Sequence, residues 1–68
     1  MIGKWFYVWV WTPAAQWWRP LGWYNGYDMA CAVVHGAFSD SDDIAIYSYT
    51  EERIVYNGKR KNCGLVNV

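Results

Sequence analysis

The stretch that most constrains the fold is the run Lys-Trp-Phe-Tyr-Val-Trp-Val-Trp at residues 4–11. Aromatic and β-branched residues fit a pleated surface better than a helix, and the run contains no Gly or Pro, so it predicts a strand. Side chains alternate across a strand, which places Trp5, Tyr7, Trp9 and Trp11 on one face and Phe6, Val8 and Val10 on the other. Both faces are apolar, so both require a cover, either from the chain itself or from another molecule.

Sixty-eight residues predict one domain, spanning residues 1–68, near the lower size at which a core without metals or disulfides is stable. Hydrophobic residues make up 54% of the chain, and it has six Trp, six Tyr and two Phe residues. This number of rings exceeds what one small core can enclose. We therefore expect some rings at the surface, where Trp and Tyr are common anchors of binding sites.

The remaining chain predicts further strands. Leu21–Tyr24, Ile44–Thr50 and Arg53–Tyr56 have strand composition, and the Asn-Gly pairs at 25–26 and 57–58 favour type I′ hairpin turns. Residues 28–36 are compatible with a strand or with a helix capped by Asp28 and Gly36, and the first Asn-Gly pair favours the strand. Residues 12–19 predict one or two helical turns or an irregular loop, because Thr12-Pro13 begins a helix well and Pro20 ends it.

A last strand is predicted from Lys59 to about Val66, with basic residues suited to a sheet edge. The predicted fold class is therefore mainly β. It is a small antiparallel meander or partly open barrel of five to six strands with at most one short helix.

Charge and cysteine content narrow the functional classes. Six basic and six acidic residues cancel, so the net charge gives no case for binding nucleic acid or an acidic membrane. The charges are segregated, with acids concentrated at residues 40–52 and bases at 53–61. Two cysteines, Cys31 and Cys63, are too few for a disulfide scaffold, and no apolar segment has the length of a membrane span. We expect a cytoplasmic protein with free thiols.

Catalytic and metal sites have weak sequence support. His35 is the only histidine and would share a helix face with Cys31, but no third residue is assigned to orient such a pair. Cys31, His35 and Cys63 offer three metal ligands without a Cys-x-x-Cys pair or a fourth ligand. The sequence therefore predicts a protein that is not an enzyme and has no metal or other cofactor.

Three segments resemble pieces of cold-shock domains, which are five-stranded OB barrels: Lys4-Trp5-Phe6, Val33-Val34-His35 with Phe38-Ser39, and Asn67-Val68. The glycine-spaced aromatic motif of that family is replaced here by the sequence at residues 7–11. The resemblance implies binding of single-stranded nucleic acid, and this is the alternative function. In that case the stacking surface consists of Trp5, Phe6, His35 and Phe38.

Protein binding is the preferred prediction, because interface hot spots are rich in Trp, Tyr and Arg. A Pro/Gly-bounded segment of this composition supplies the predicted partner-binding residues Trp17, Trp18, Arg19, Trp23, Tyr24 and Tyr27. A secondary electrostatic contribution is predicted from Asp40, Asp42, Asp43, Glu51 and Glu52. The expected partner is a host protein or protein complex, and the profile is that of a small phage or mobile-element inhibitor with anti-defence activity. A symmetric homodimer is the rival within this class.

Overall fold

The computed structural model describes residues 4–37 and 42–64, which form four strands, one α-helix and one 3₁₀ turn. The strands form one sheet in the order β2-β1-β3-β4, and all neighbours are antiparallel. The elements in chain order are β1 (Trp5–Thr12), β2 (Trp17–Asn25), α1 (Tyr27–Ala37), β3 (Asp43–Ser48), β4 (Arg53–Lys59) and the 3₁₀ turn (Arg60–Asn62).

Strand β1 lies at the centre of the sheet and has the alternation predicted from its sequence. Phe6, Val8 and Val10 are buried, while the residues between them are only half-buried. In β3, Ile44, Ile46 and Ser48 are buried on one side as predicted, and Ala45 between them is buried as well. The buried Ser48 hydroxyl accepts a hydrogen bond of 3.1 Å from the Glu51 amide, so its polar atom is paired. The prediction for β1 is confirmed, whereas β3 ends at Ser48 and the predicted residues 49–50 lie in the turn.

Both alternatives predicted for residues 12–19, a short helix and an irregular loop, are wrong, because residues 13–16 form the turn of a β1–β2 hairpin. Gln16 takes a positive φ of 53° there, and β2 begins directly at Trp17. Pro20 is compatible with β2 because, among the described strands, β2 lies at the edge of the sheet and pairs only with β1. The hairpin register shifts opposite Val8 and Trp9, where Gly22 has a φ of 111°.

The strand predicted for residues 28–36 is also wrong, because this segment is the helix α1. Gly26 has a φ of 97°, which turns the chain out of the sheet, and its carbonyl accepts the first helical hydrogen bond from Ala30. Ala30, Cys31 and Val34 are the buried residues of α1, at a helical spacing. The first Asn-Gly pair thus introduces a helix rather than a hairpin.

The C-terminal half has one strand fewer than predicted. Asn57 and Gly58, expected to form a turn, lie inside β4, and the chain leaves the sheet only after Lys59. The predicted strand from Lys59 to Val66 is replaced by the 3₁₀ turn, and residues 65–68 lie outside the described part of the chain. The described residues therefore form a mainly β, four-stranded open sheet with one helix, rather than a barrel or a meander of five to six strands.

The core lies between α1 and one face of the sheet. Leu21, Tyr24, Tyr27, Val55 and Tyr56 pack around it from the sides. Its buried members are Phe6, Val8, Val10, Ala30, Cys31, Val34, Ile44, Ile46 and Cys63.

Candidate functional site

The face of the sheet opposite α1 has no covering element among the described residues, and we call it the open face. Directly paired residues of antiparallel strands point to the same side, so the register assigns its members. Its apolar and aromatic centre consists of Tyr7, Trp9, Trp11, Trp18, Trp23, Ala45, Tyr47 and Ile54, with Asn57 beside Ala45 and Tyr49 just beyond β3. Trp5, Pro20, Asn25, Asp43 and Lys59 lie on the same side by register.

The rings of the open face hold one another in place. Trp23 contacts Tyr7, Tyr47 and Tyr49 edge to face, at centroid distances of 5.0, 6.5 and 6.0 Å. At the other end of the face, Trp11 and Trp18 lie 5.5 Å apart. Edge-to-face geometry is one of the favoured arrangements of aromatic pairs, so the three tyrosines order the Trp23 ring although it remains accessible.

A groove of about 340 Å³ opens between these two groups of rings. Ala45 forms part of its lining, and its small side chain leaves space between Trp9 and Ile54, which lie on the strands to either side. Trp18 and Asn57 complete the lining. Trp18, Trp23 and Ile54 are 38%, 49% and 44% exposed, so the groove and its surroundings present large apolar side chains to solvent.

The open face has little positive charge. Of the cations within the four described strands, Arg19 and Arg53 pair in register with Val10 and Ser48 on the helix side. Lys59 lies on the open side, opposite Asp43, and its ammonium is 3.0 Å from that carboxylate. The strands thus contribute one cation to this face, and a carboxylate neutralises it.

The structure divides the predicted partner-binding segment between different surroundings. Trp18 and Trp23 lie on the open face, whereas Trp17 and Arg19 pair with Thr12 and Val10 on the helix side.

Tyr24 and Tyr27 pack against the core. The Tyr24 hydroxyl donates a hydrogen bond of 3.0 Å to the Leu21 carbonyl, and the Tyr27 ring contacts Phe6 edge to face. The six residues therefore do not form one surface.

The predicted acidic contribution is also distributed. Asp43 pairs with Lys59, and the Glu51 carboxylate lies 2.8 Å from the Arg53 guanidinium. Asp42 uses its carbonyl to accept a hydrogen bond from the Arg60 amide, and Glu52 is exposed in the β3–β4 turn. Asp40 lies outside the described residues. Charges that are segregated along the sequence thus pair with each other in the fold.

The surface implied by the cold-shock resemblance does not form. Phe6 is 7% exposed and belongs to the core, while Trp5 points to the other side of the same strand. His35 lies on α1, and Phe38 lies outside the described residues. The described residues also form an open sheet instead of the barrel of that family.

The prediction includes Trp18 and Trp23 of the open face but misses its other rings, although the alternation of β1 places Tyr7, Trp9 and Trp11 together. Tyr47 and Ile54 join them only through the pairing of β1 with β3 and of β3 with β4. The face of the sheet that α1 covers is not predicted, because residues 28–36 are assigned to a strand. Without a helix in this segment, the sequence does not indicate which face stays uncovered.

A second group of functional side chains lies on the helix side. Cys31 of α1 and Cys63 after the 3₁₀ turn are buried free thiols with their sulfurs 3.1 Å apart. Burial, and to a smaller extent the adjacent Cys31, together raise the pKa of the Cys63 thiol to about 12. Burial beside these two thiols also raises the pKa of the Tyr27 hydroxyl. A protonated thiol is a poor nucleophile, so the buried position of Cys63 slows reactions of its sulfur in the folded protein.

His35 is held by two hydrogen bonds on its ring. Its Nε2–H donates to the Cys63 carbonyl at 2.6 Å, and the Arg60 guanidinium donates to its Nδ1 at 2.9 Å. A carbonyl only accepts and a guanidinium only donates, which defines the neutral Nε2–H tautomer. Both nitrogens are therefore occupied in tying α1 to the segment after β4.

Within residues 4–37 and 42–64, no group of three His, Cys, Asp or Glu side chains is placed to hold a metal ion. No helix in this part of the chain has the length and apolar character required to cross a membrane.

Comparison of the chain with protein-family models, curated proteins and solved structures gives no match. The fold and the site define the protein only by class: a small four-stranded antiparallel sheet, covered by a helix on one face and presenting ordered aromatic rings on the other. Any assignment of function must therefore come from this geometry.

Proposed function

We propose that the chain is a protein-binding module that uses its open face, and that its partner inserts a protruding apolar side chain into the groove beside Ala45. The observation that carries this proposal is the row of accessible rings around that groove, on a face that α1 leaves uncovered. Contiguous exposed apolar surface of this kind is characteristic of interaction sites.

The energetic argument starts from the rings. Trp and Tyr are the residues most enriched in interface hot spots, where truncation of one anchor costs about 2 kcal/mol or more. Ordering side chains on association costs about 0.5–1.5 kcal/mol for each flexible group. The edge-to-face contacts of Trp23 with Tyr7 and Tyr47 reduce this cost, because these rings are ordered before binding.

Charge favours a protein over a nucleic acid as the partner. Affinity for nucleic acid depends strongly on cations that neutralise phosphates. The strands place one cation, Lys59, on the open face, and Asp43 already pairs with it. Bases could stack on the rings, but the electrostatic component of binding is missing from this face.

We extend the proposal to inhibition: the domain acts by occupying a surface of a host enzyme or complex. The small size, the near-neutral charge and the accessible rings support this role. A phage or mobile-element origin and a cytoplasmic location belong to the same proposal.

The test is affinity capture from nuclease-treated lysate with tagged variants, quantified by mass spectrometry. We expect a protein partner that the unmodified chain and Trp17→Ala capture equally and that Trp23→Ala and Ile54→Glu lose. Trp17 is the matched control because it is 51% exposed but lies on the helix side.

The remaining outcomes contradict the proposal. Equal capture by all four proteins would remove the open face as the site. Loss of every partner on nuclease treatment would transfer the assignment to nucleic acid. Concentration-dependent dimerisation of the purified chain, abolished by Ile54→Glu, would replace the foreign partner with a second copy.

A further inference from the structure

The two cysteines meet although 32 positions separate them in the sequence. Cys31 lies on α1 and Cys63 follows the 3₁₀ turn, and their sulfurs approach to 3.1 Å inside the core. Cys31 and Cys63 are 7% and 1% exposed, so their sulfurs contact each other and have little contact with solvent.

The backbone around Cys63 holds its sulfur close to the sulfur of Cys31. The Cys63 amide donates to the Arg60 carbonyl at 3.0 Å, and the Cys63 carbonyl accepts from the His35 ring of α1. Gly64 follows with a φ of 81°, and a Cβ at this position would lie 3.3 Å from the Cys31 sulfur. A side chain on residue 64 would therefore press on Cys31, and glycine lets the chain pass close to it.

We propose that Cys31 and Cys63 are a site of reversible disulfide formation, which links the segment after β4 covalently to α1 when the protein meets a disulfide oxidant. The chemical class of the oxidant is a small disulfide such as glutathione disulfide. Neither residue is on the open face, so the proposal stands independently of the proposed function.

The reaction proceeds by two thiol–disulfide exchanges. The thiolate of one cysteine attacks glutathione disulfide, forms a mixed disulfide and releases one glutathione thiolate. The second cysteine loses its proton to solvent and attacks the protein sulfur of the mixed disulfide. A second glutathione thiolate leaves, so two protein thiols are oxidised and one glutathione disulfide is reduced to two thiols.

Burial determines how fast this occurs. Thiolate is the reacting species, and the enclosed position of Cys63 disfavours it. The oxidant also cannot reach the sulfurs until the segment after β4 opens away from α1. Oxidation is therefore slow in the folded protein, and mild denaturant accelerates it by populating the open state.

The experiment incubates the full chain with glutathione disulfide and follows intact mass and peptide mapping without reductant. We expect loss of two hydrogen atoms, a peptide linking Cys31 to Cys63, and a melting temperature higher by on the order of 10 °C. Dithiothreitol should reverse all three changes. Cys31→Ala and Cys63→Ala are the controls, and their melting temperatures should not rise under the same oxidant.

Two results would overturn the proposal. One is a stable mixed disulfide with glutathione on either cysteine of the unmodified chain, which would mean that the second thiol cannot reach the first. The other concerns mild denaturant, at concentrations where iodoacetamide alkylates both thiols and so shows that the segment after β4 is open. A chain whose thiols stay reduced in the presence of glutathione disulfide under these conditions would overturn the proposal.

Discussion

On the helix side of the sheet, Val8, Ile44 and Ile46 are completely buried, whereas on the open side Trp18, Trp23 and Ile54 remain 38–49% exposed. Both sets are apolar and belong to one sheet, but the first lies on the central strands β1 and β3 and the second on the edge strands β2 and β4. Ala30 and Val34 of α1 belong to the same buried cluster as the first set, and the second set lies outside that cluster. In a chain of this size, one helix of 11 residues is enough to complete one core and leave the other face for a different use.

The residue types of the two faces follow this division. Branched aliphatic side chains and Phe6 dominate the covered face, and its buried polar residue, Ser48, has its hydroxyl hydrogen-bonded to the Glu51 amide. The open face uses Trp and Tyr, which combine a large apolar body with a group that can hydrogen-bond to water or to a partner. The open face is thus suited to contact water in the free protein and to exclude water when a partner binds.

The largest effect on stability is expected from a core substitution. Ile46→Ala removes a fully buried side chain and should lower the free energy of unfolding by about 2–5 kcal/mol. Ile54→Ala on the open face should cost less than about 1 kcal/mol, because this side chain is already partly hydrated. Urea denaturation followed by circular dichroism measures the free energy of unfolding of both variants. Equal losses would contradict the claim that only the helix side forms the core.

The next effect is a loss of stability at alkaline pH that originates on the helix side. The folded pKa of Cys63 is raised from 9.0 to about 12, so its contribution to stability is complete below about pH 9 and is lost as the pH rises toward 12. In a non-thiol reductant, we expect the free energy of unfolding to be about 1–2 kcal/mol lower at about pH 11 than at about pH 8. In the Cys63→Ala variant, the free energy of unfolding should fall less over this pH range. If it fell as much as in the unmodified chain, the effect could not be assigned to Cys63.

A smaller effect on stability is expected from removing an open-face ring. Trp23→Ala loses three edge-to-face contacts but little burial, so the free energy of unfolding should fall by about 1 kcal/mol. Thermal unfolding checks this value. A loss comparable to that of Ile46→Ala would mean that the ring belongs to the core of the fold.

The smallest effect concerns the ion pair on the open face. The Asp43 and Lys59 side chains are 40% and 49% exposed, and pairs of this kind contribute less than about 1 kcal/mol. Lys59→Met should therefore leave the unfolding midpoint in urea nearly unchanged, at low and at high salt. A large salt-dependent loss would show that charge contributes more to this face than its geometry indicates.

The sequence predicts the central part of the fold well. The alternation of β1 follows from the period of two of a strand and is present in the structure. In β3 the predicted Ile44, Ile46 and Ser48 are buried, and Ala45 is buried as well. The Asn-Gly pairs were misleading for a physical reason: Gly26 uses its positive φ to leave the sheet for α1, and Gly58 lies within β4. A turn dipeptide indicates backbone freedom, and its tertiary surroundings decide how that freedom is used.

The candidate site was predictable only in part. Trp18 and Trp23 were selected by composition, and they lie on the open face. Trp17 and Trp18 are adjacent in the sequence, so composition alone could not separate them, whereas the strand register places them on opposite sides. Tyr47 and Ile54 reach the site through pairing of distant strands, which a local pattern does not contain.

The most direct test of the open face as the binding site compares Trp17→Ala with Trp18→Ala. These neighbours are the same residue type and both are exposed, but only Trp18 lines the groove. With the captured partner and titration calorimetry, we predict that Trp18→Ala weakens binding about 30-fold or more, corresponding to about 2 kcal/mol, while Trp17→Ala binds as the unmodified chain does. Equal weakening by both substitutions, or weakening by Trp17→Ala alone, would contradict the account.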